Sequence, residues 1–328
     1  MTMKLPEELQ FIENARKPLK TTAARLDGQV CVITGATSGV GYHTAKRLAQ
    51  AGAHLVLVCR NMEKAQGVKA ELAALTNAEV DLVRADFSNL DEVQSAAHQI
   101  LHRFPVIHVL INNVGIHMTT RTLTADGFET AFGVNHLASF LFTRLLLERM
   151  IASAPSRIIQ VNSEGHRFGG LRLDDLDWAK RRYRGLQGYG ASKTAQLLTV
   201  WELAERLIGT GVTINAVHPG EVATNIGMNN GFLYRWYQKY LLFPLLKDPH
   251  ISGEALYYFA AAPELSATSG KFFNLTAEEK PAPHALDRAT GKRIWEISEE
   301  LTGLHHKIKT LTDLSLIPAK NPGFTVAS

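Results

Sequence analysis

A chain of 328 residues, 45% hydrophobic and 20% charged, fits one globular α/β domain and excludes a disordered or fibrous protein. Its 35 basic and 31 acidic residues give a net charge of +4 spread along the whole length, which argues against a nucleic-acid partner because such proteins concentrate their basic residues. Cys31 and Cys59 both fall in apolar runs, so small buried core residues are expected rather than a disulfide framework.

The opening, Met1-Thr2-Met3-Lys4-Leu5-Pro6-Glu7-Glu8, lacks the apolar core and cleavage site of a secretion signal. A short helical leader is expected over residues 6–17, within an N-terminal segment 1–24. Short β-branched runs then alternate with longer helical patterns. Strands are expected at 30–33, 55–58, 80–83, 106–111, 157–161, 212–217 and 271–274. Helices are expected at 40–51, 63–75, 90–101, 127–150 and 188–207 between them. This alternation predicts a Rossmann-type, doubly wound parallel sheet of seven strands with helices on both faces and a ligand at the strand carboxyl ends. The dinucleotide-binding catalytic domain is expected over 25–280, and the tail 281–328 carries one helix near 292–301. The longest charge-free run, 104–120, is broken by His108, Asn112, Asn113, Gly115 and His117, so no spanning helix is expected; with no secretion signal read at the opening, a cytoplasmic location is expected.

Directly after the first strand, Thr34-Gly35-Ala36-Thr37-Ser38-Gly39-Val40-Gly41 opens a helix. Glycines there let the backbone approach a pyrophosphate, whose charge meets the helix N-terminus. The second strand ends in Cys59-Arg60-Asn61, with no acid to bind a ribose 2′-hydroxyl. Arg60 offers a planar fork to a 2′-phosphate and Lys64 a second charge, so NADP(H) is expected in preference to NAD(H).

Tyr189 and Lys193, four residues apart at the start of a helix, lie on one face. An ammonium beside a phenol favours the phenolate, bringing the tyrosine toward neutral working pH. Ser163, at the end of the fifth strand, offers a hydroxyl to a substrate oxygen. Asn135 sits inside a helical pattern, where an amide with poor helix propensity needs a task such as holding a water. Asn112-Asn113-Val114-Gly115 and Pro219-Gly220-Glu221-Val222-Ala223-Thr224 end two further strands at the same edge. His117, His136, His166 and His218 lie on four segments without metal-ligand spacing, so no metal site is expected.

Taken in order, Gly35, Gly39 and Gly41, Asp86, Asn112-Asn113-Val114-Gly115, Asn135, Ser163, Tyr189 with Lys193, and Pro219-Gly220 resemble the short-chain dehydrogenase/reductase superfamily. The segments 58–61, 163–169, 217–220 and 295–298 look like its retinol dehydrogenase and WW-domain oxidoreductase branch, which is also similar to protochlorophyllide reductases. The chain departs from the usual pattern at Val114, where Ala is common, and at Asn162, where a second Ser is common, and the branch's N-terminal membrane anchor is not expected. The resemblance implies Tyr189 as acid/base, Lys193 as the residue that lowers its pKa and binds the nicotinamide ribose, Ser163 on the carbonyl and Asn135 on a relay water. It also implies adenine contact by Asp86 with Phe87, ribose contact near Asn113, and carboxamide contact near Val222 and Thr224. The implied substrate is a small apolar alcohol or carbonyl of retinoid, steroid or lipid type.

Two rivals are a protochlorophyllide reductase-like enzyme, disfavoured by the cysteine placement, and a catalytically idle NADP-binding scaffold, disfavoured by the intact Tyr189, Lys193, Ser163 and Asn135. Residues 227–262 are expected to cover the substrate. Within them, 227–246 reads as a mobile apolar lid whose face is Phe232, Leu233, Trp236, Tyr237, Tyr240, Leu241 and Leu242, with Leu233, Tyr234, Trp236, Tyr237 and Leu241 expected to line the substrate pocket, the alternatives being a subunit interface or a peripheral membrane contact. A homodimer or homotetramer is expected.

Overall fold

The computed structural model describes residues 13–14, 17–222, 230 and 248–304. Short runs rich in Val, Ile and Leu form β1 (Val30–Thr34), β2 (His54–Cys59), β3 (Val80–Arg84), β4 (Val109–Asn112), β5 (Ser156–Val161), β6 (Val212–His218) and β7 (Phe272–Asn274). β1, β4 and β6 are buried at every position, and β1 and β4 accordingly read as continuous apolar runs closed by Thr34 and Asn112 rather than as alternating ones. The strands lie in the order β3-β2-β1-β4-β5-β6-β7, every neighbouring pair parallel. Strand order reverses at β1, between β2 and β4, and this opens the crevice at their carboxyl ends.

An eighth strand, β8 (Ala277–Glu278), returns antiparallel to β7 and corrects the expected count of seven. Its turn places Leu275 at a φ of 52°, a conformation usually signalled by Gly or Asn, so the sequence carries no cue for the hairpin.

Seven helices flank the sheet among the described residues: α1 (Gly39–Gln50), α2 (Met62–Thr76), α3 (Leu90–Arg103), α4 (Ala138–Ala152), α5 (Gly185–Arg206), α6 (His250–Ala261) and α7 (Arg288–Leu301). Successive β1 residues feed two cores. Val30 and Val32 pack with α3, α4 and α5, whereas Cys31 and Ile33 pack with α1, α2 and α6. Side-chain caps set several boundaries: Asn61 accepts from Lys64 N, Asn89 from Asp91 N and Glu92 N, and Asp287 from Ala289 N.

The structure shifts some expected limits. The helix expected from 127 begins only after Glu129, whose carboxylate accepts from Ala131 N (2.9 Å) and Phe132 N (2.8 Å). Its first turns, Phe132–Leu137, are π-helical, with Ala138 N bonded to Gly133 O, before α4 continues. The fourth strand starts at Val109 rather than 106, since Val106 follows Pro105 and is exposed. Most of the expected leader helix, the expected lid over 227–246 apart from Asn230, and the tail beyond 304 lie outside the described residues. No helix of the described residues is long and apolar enough to cross a membrane.

α4 and α5 bury residues all round because α7 covers the side turned away from the sheet. Trp295 of α7 is 2% exposed and lies between two guanidiniums, Arg144 at 4.7 Å and Arg206 at 4.4 Å from its ring. Arg144 also pairs with Glu299 at 2.5 Å, and Trp201 Nε1 donates to Ala285 O at 2.8 Å. Trp295→Ala is therefore expected to cost about 3–5 kcal/mol, typical of a truncated buried aromatic, seen as a lower urea midpoint. An unchanged midpoint would show that α7 is not part of the cooperative core.

His136, fully buried in the π-helical turn, bonds Ser298 Oγ at 2.7 Å. Burial holds it neutral, with its pKa down at about 3 against an ordinary 6.5. The unfolded chain takes up this proton first, so the stabilisation is complete above pH 6.5 and is lost as pH falls from 6.5 toward 3. Chemical denaturation between pH 7.5 and 4.5 should show that decline, and His136→Asn should flatten it by up to about 1.4 kcal/mol per pH unit. Equal slopes in both proteins would contradict the assignment.

Candidate active site

A cavity of about 970 Å³ lies along the carboxyl edge at the strand reversal. At one end, β1 leads through Gly35 into α1. Gly41 packs so closely that a Cβ there would lie 2.3 Å from Gly35 O and 2.5 Å from Asn113 Nδ2. Ser38 stands at the N-cap of α1 without bonding its side chain to the helix, which leaves amides of the first turn directed at the cavity. A glycine-lined backbone cradle at a helix N-terminus fits the pyrophosphate of a dinucleotide. Thr34 Oγ1 binds the cradle to β4 by accepting from Asn113 N (2.9 Å) and Val114 N (3.1 Å), while Asn113 Nδ2 donates to Thr34 O and Gly35 O.

Further along the edge, Arg60, Asn61 and Lys64 line the cavity where β2 ends. Arg60 Nη1 is 3.7 Å from Asp86 Oδ2, and its side chain is largely exposed. Asp86 accepts from Ser88 N and Oγ through Oδ1, so its carboxylate is already oriented.

At the other end lie the residues with proton chemistry. β5 delivers Ser163, whose side chain caps a short 3₁₀ turn (Glu164–Phe168) by accepting from Gly165 N at 3.0 Å. Tyr189 lies one turn into α5, beside Ser163, whose hydroxyl favours the phenolate. Gly165 lets the ring come close, since a Cβ there would be 2.6 Å from Tyr189 Cε1. Burial pushes the phenol up to about 12, opposed by the Ser163 hydroxyl and reinforced by the charge of Glu221.

Lys193 is 3% exposed, and burial brings it down to about 7. Its Nζ donates to Val161 O and to Gln196 Oε1, both at 3.0 Å, and lies 5.8 Å from the Tyr189 ring centre. The expected lowering of the tyrosine by its lysine is thus outweighed here. Desolvation dominates for both groups, and the lysine's hydrogen bonds go to Val161 at the end of β5 and to Gln196 on its own helix.

Asn135 does not line the cavity. It is fully buried, and its Nδ2 donates to Ile116 O (3.0 Å) and Ser192 Oγ (2.9 Å) while Oδ1 accepts from Ile116 N (2.8 Å). Both amide hydrogens are therefore committed to clasping the segment after β4 against α5. Thr224 falls outside the described residues. The remaining residues singled out from the sequence all face the one cavity: Gly35, Thr37, Ser38, Gly39, Val40, Gly41, Arg60, Asp86, Phe87, Asn113, Val114, Gly115, Ser163, Tyr189, Lys193, Pro219, Gly220 and Val222.

Behind Ser163, His166 Nδ1–H bonds Ser163 O at 2.8 Å while Nε2 accepts from Ala282 N at 3.1 Å. That pattern needs a neutral ring, and burial accordingly brings its pKa down to about 4. His117 meets Tyr189 edge to face at 5.6 Å. Cys31 and Cys59 are buried, with thiols pushed up to about 12 and about 11. Two residues had no role in the sequence reading. Gln196 was legible only as an amide inside the apolar run 195–198, one turn after Lys193. Glu221 lines the cavity beside His218, but stood unremarked within its motif.

The family model described as short chain dehydrogenase matches residues 29–231. Retinol dehydrogenase 13 from Homo sapiens is 38% identical over 299 residues, covering 90% of this chain and 89% of that protein. Retinol dehydrogenase 12 from Mus musculus is 39% identical over 285 residues, 87% of this chain and 89% of the relative. Among solved structures, an uncharacterized protein from Mycobacterium paratuberculosis superposes with a TM-score of 0.70 at 30% identity, covering 87% of this chain and 98% of the other.

Proposed function

The chain belongs to the short chain dehydrogenase family, and from that premise we propose an NADP(H)-dependent oxidoreductase that interconverts an alcohol and an aldehyde or ketone on an apolar, retinoid-, steroid- or lipid-like substrate. One observation carries the reading: Ser163, Tyr189 and Lys193 share a single cavity with the glycine-lined N-terminus of α1. The dinucleotide, when bound, supplies or accepts the hydride. Gly35, Gly39 and Gly41 would hold its pyrophosphate, Asn113 and Lys193 its ribose, and Pro219, Gly220 and Val222 the carboxamide end.

The protein's own groups handle the proton. In this reading Ser163 Oγ donates to a substrate oxygen and Tyr189 Oη exchanges a proton with it. With its pKa raised, Tyr189 stands as a neutral phenol near pH 7, the form that donates in carbonyl reduction. The apolar class is supported by the retinol dehydrogenase names of the relatives and by the wall formed by Ile116, Met118, Leu123 and Val134. An assembly of two or four copies would use surfaces other than the outer face of α4 and α5, which α7 covers.

The cofactor preference is supported by Arg60 and Lys64 at the end of β2. NADPH should bind more tightly than NADH, and Arg60→Ala should weaken NADPH by about tenfold or more while leaving NADH nearly unchanged. Fluorescence titration reads both, and equal affinities in the unaltered protein would overturn the assignment. For the chemistry, NADPH consumption is followed with all-trans-retinal, a 3-ketosteroid and a long-chain aldehyde. Tyr189→Phe should lose about 10²–10⁴-fold in turnover with NADPH affinity retained. Near-normal turnover in that variant would remove Tyr189 from the mechanism.

A further inference from the structure

Gln196 stands one turn beyond Lys193 on α5 and is 2% exposed. Its amide has four partners. Oε1 accepts from Lys193 Nζ (3.0 Å) and Asn162 Nδ2 (3.2 Å), and Nε2 donates to Asn135 O (2.5 Å) and more weakly to Ser139 Oγ (3.4 Å). Asn162 in turn accepts from Ser163 N at 2.8 Å and donates to Lys193 O at 3.0 Å. Each partner belongs to a segment bearing a proposed reacting or orienting group. Asn135 O lies in the π-helical turn Phe132–Leu137. Ser139 Oγ bonds the same carbonyl at 2.6 Å.

We propose that Gln196 is a positioning residue for the reaction: its amide oxygen holds the Lys193 ammonium while its amide nitrogen holds the π-helical turn, setting where that lysine stands relative to Tyr189 and Ser163. The amide is suited to this because it has an acceptor for the cation and a donor for the carbonyl. An apolar side chain supplies neither, and a carboxylate replaces the donor with a charge. The titratable groups nearest Lys193 are Tyr189 on α5 and His218 on β6, and His218 is itself held neutral by burial and by the neighbouring positive charge.

For its turnover measurements the inference rests on the oxidoreductase reading, so the test also has an arm that needs no catalysis. Protein carrying ¹³C at lysine Cε is titrated by NMR as unaltered chain, Gln196→Met and Gln196→Glu. Losing the acceptor should lower the Lys193 midpoint by about one to two units, and a carboxylate should raise it by at least as much. With NADPH and all-trans-retinal, Gln196→Met should reduce kcat by about 10–100-fold with KM changed less than about threefold, and Gln196→Glu should displace the pH profile of kcat in the direction of the lysine shift. An unchanged lysine midpoint in both variants, or normal kcat and pH profile with only a lower Tm, would overturn the proposal and leave Gln196 a packing residue. If the unaltered protein fails to turn over retinal, the substrate reading falls while the NMR arm still decides the role of Gln196.

Discussion

An ammonium carried into the protein interior is the constraint that organises the catalytic end of this molecule. Lys193 lies under the cavity wall, and the oxygens that hold it, Val161 O and Gln196 Oε1, are both neutral. A carboxylate in either place would keep the lysine charged at any working pH, but would also pin it by an ion pair far stronger than a carbonyl contact. Neutral acceptors stabilise the cation less, so desolvation brings the group down to about 7 and leaves it able to respond to whatever binds beside it. The same desolvation raises Tyr189, and the pair is thus driven toward its uncharged forms by the fold itself.

The rest of the site follows from how the strand ends are tied. Thr34 Oγ1 joins the exits of β1 and β4, and Asn135 clasps Ile116 from the other side, so residues 113–116 are held between the cofactor cradle and α5. That segment forms the cavity floor between the two ends. Its backbone is fixed by polar contacts to a strand residue and a helix residue rather than by its own secondary structure. A π-helical turn is what allows Asn135 to serve there, since an α-helical path would leave neither its side chain nor its carbonyl in the same place.

Much of this was legible in the sequence because period and punctuation are local properties. Continuous apolar runs announced parallel strands, and glycines after β1 announced the cradle. The spacing of Tyr189 and Lys193 announced one helix face, and the order of motifs announced the family. What was not legible depends on neighbours distant in sequence. The tyrosine's raised pKa arises from burial that spacing alone does not report. The partners of the Asn135 amide hydrogens, Ile116 and Ser192, are nineteen and fifty-seven residues away. Gln196 has the same character: an amide in an apolar run signals a buried polar hub, but not its partners. The hairpin to β8 turns on a leucine in a left-handed conformation, which no propensity rule anticipates.

The C-terminal helix makes the same point at the level of the fold. Read alone, residues 281–304 belong to a tail, because the last strand expected from the sequence is 271–274. Yet α5 is buried along nearly its whole length, on the side facing the sheet and on the side facing away. A helix of that kind has to be covered twice. α7 supplies the second cover, with Trp295 between Arg144 of α4 and Arg206 of α5 and Ser298 against His136 in the π-helical turn. The helix that bears Tyr189, Lys193 and Gln196 is therefore clamped from both sides, and the turn that bears Asn135 touches the same clamp. Precise placement of the proton-handling groups is in this way a property of the entire layer, from the sheet through α4 and α5 to α7, rather than of the motif residues themselves.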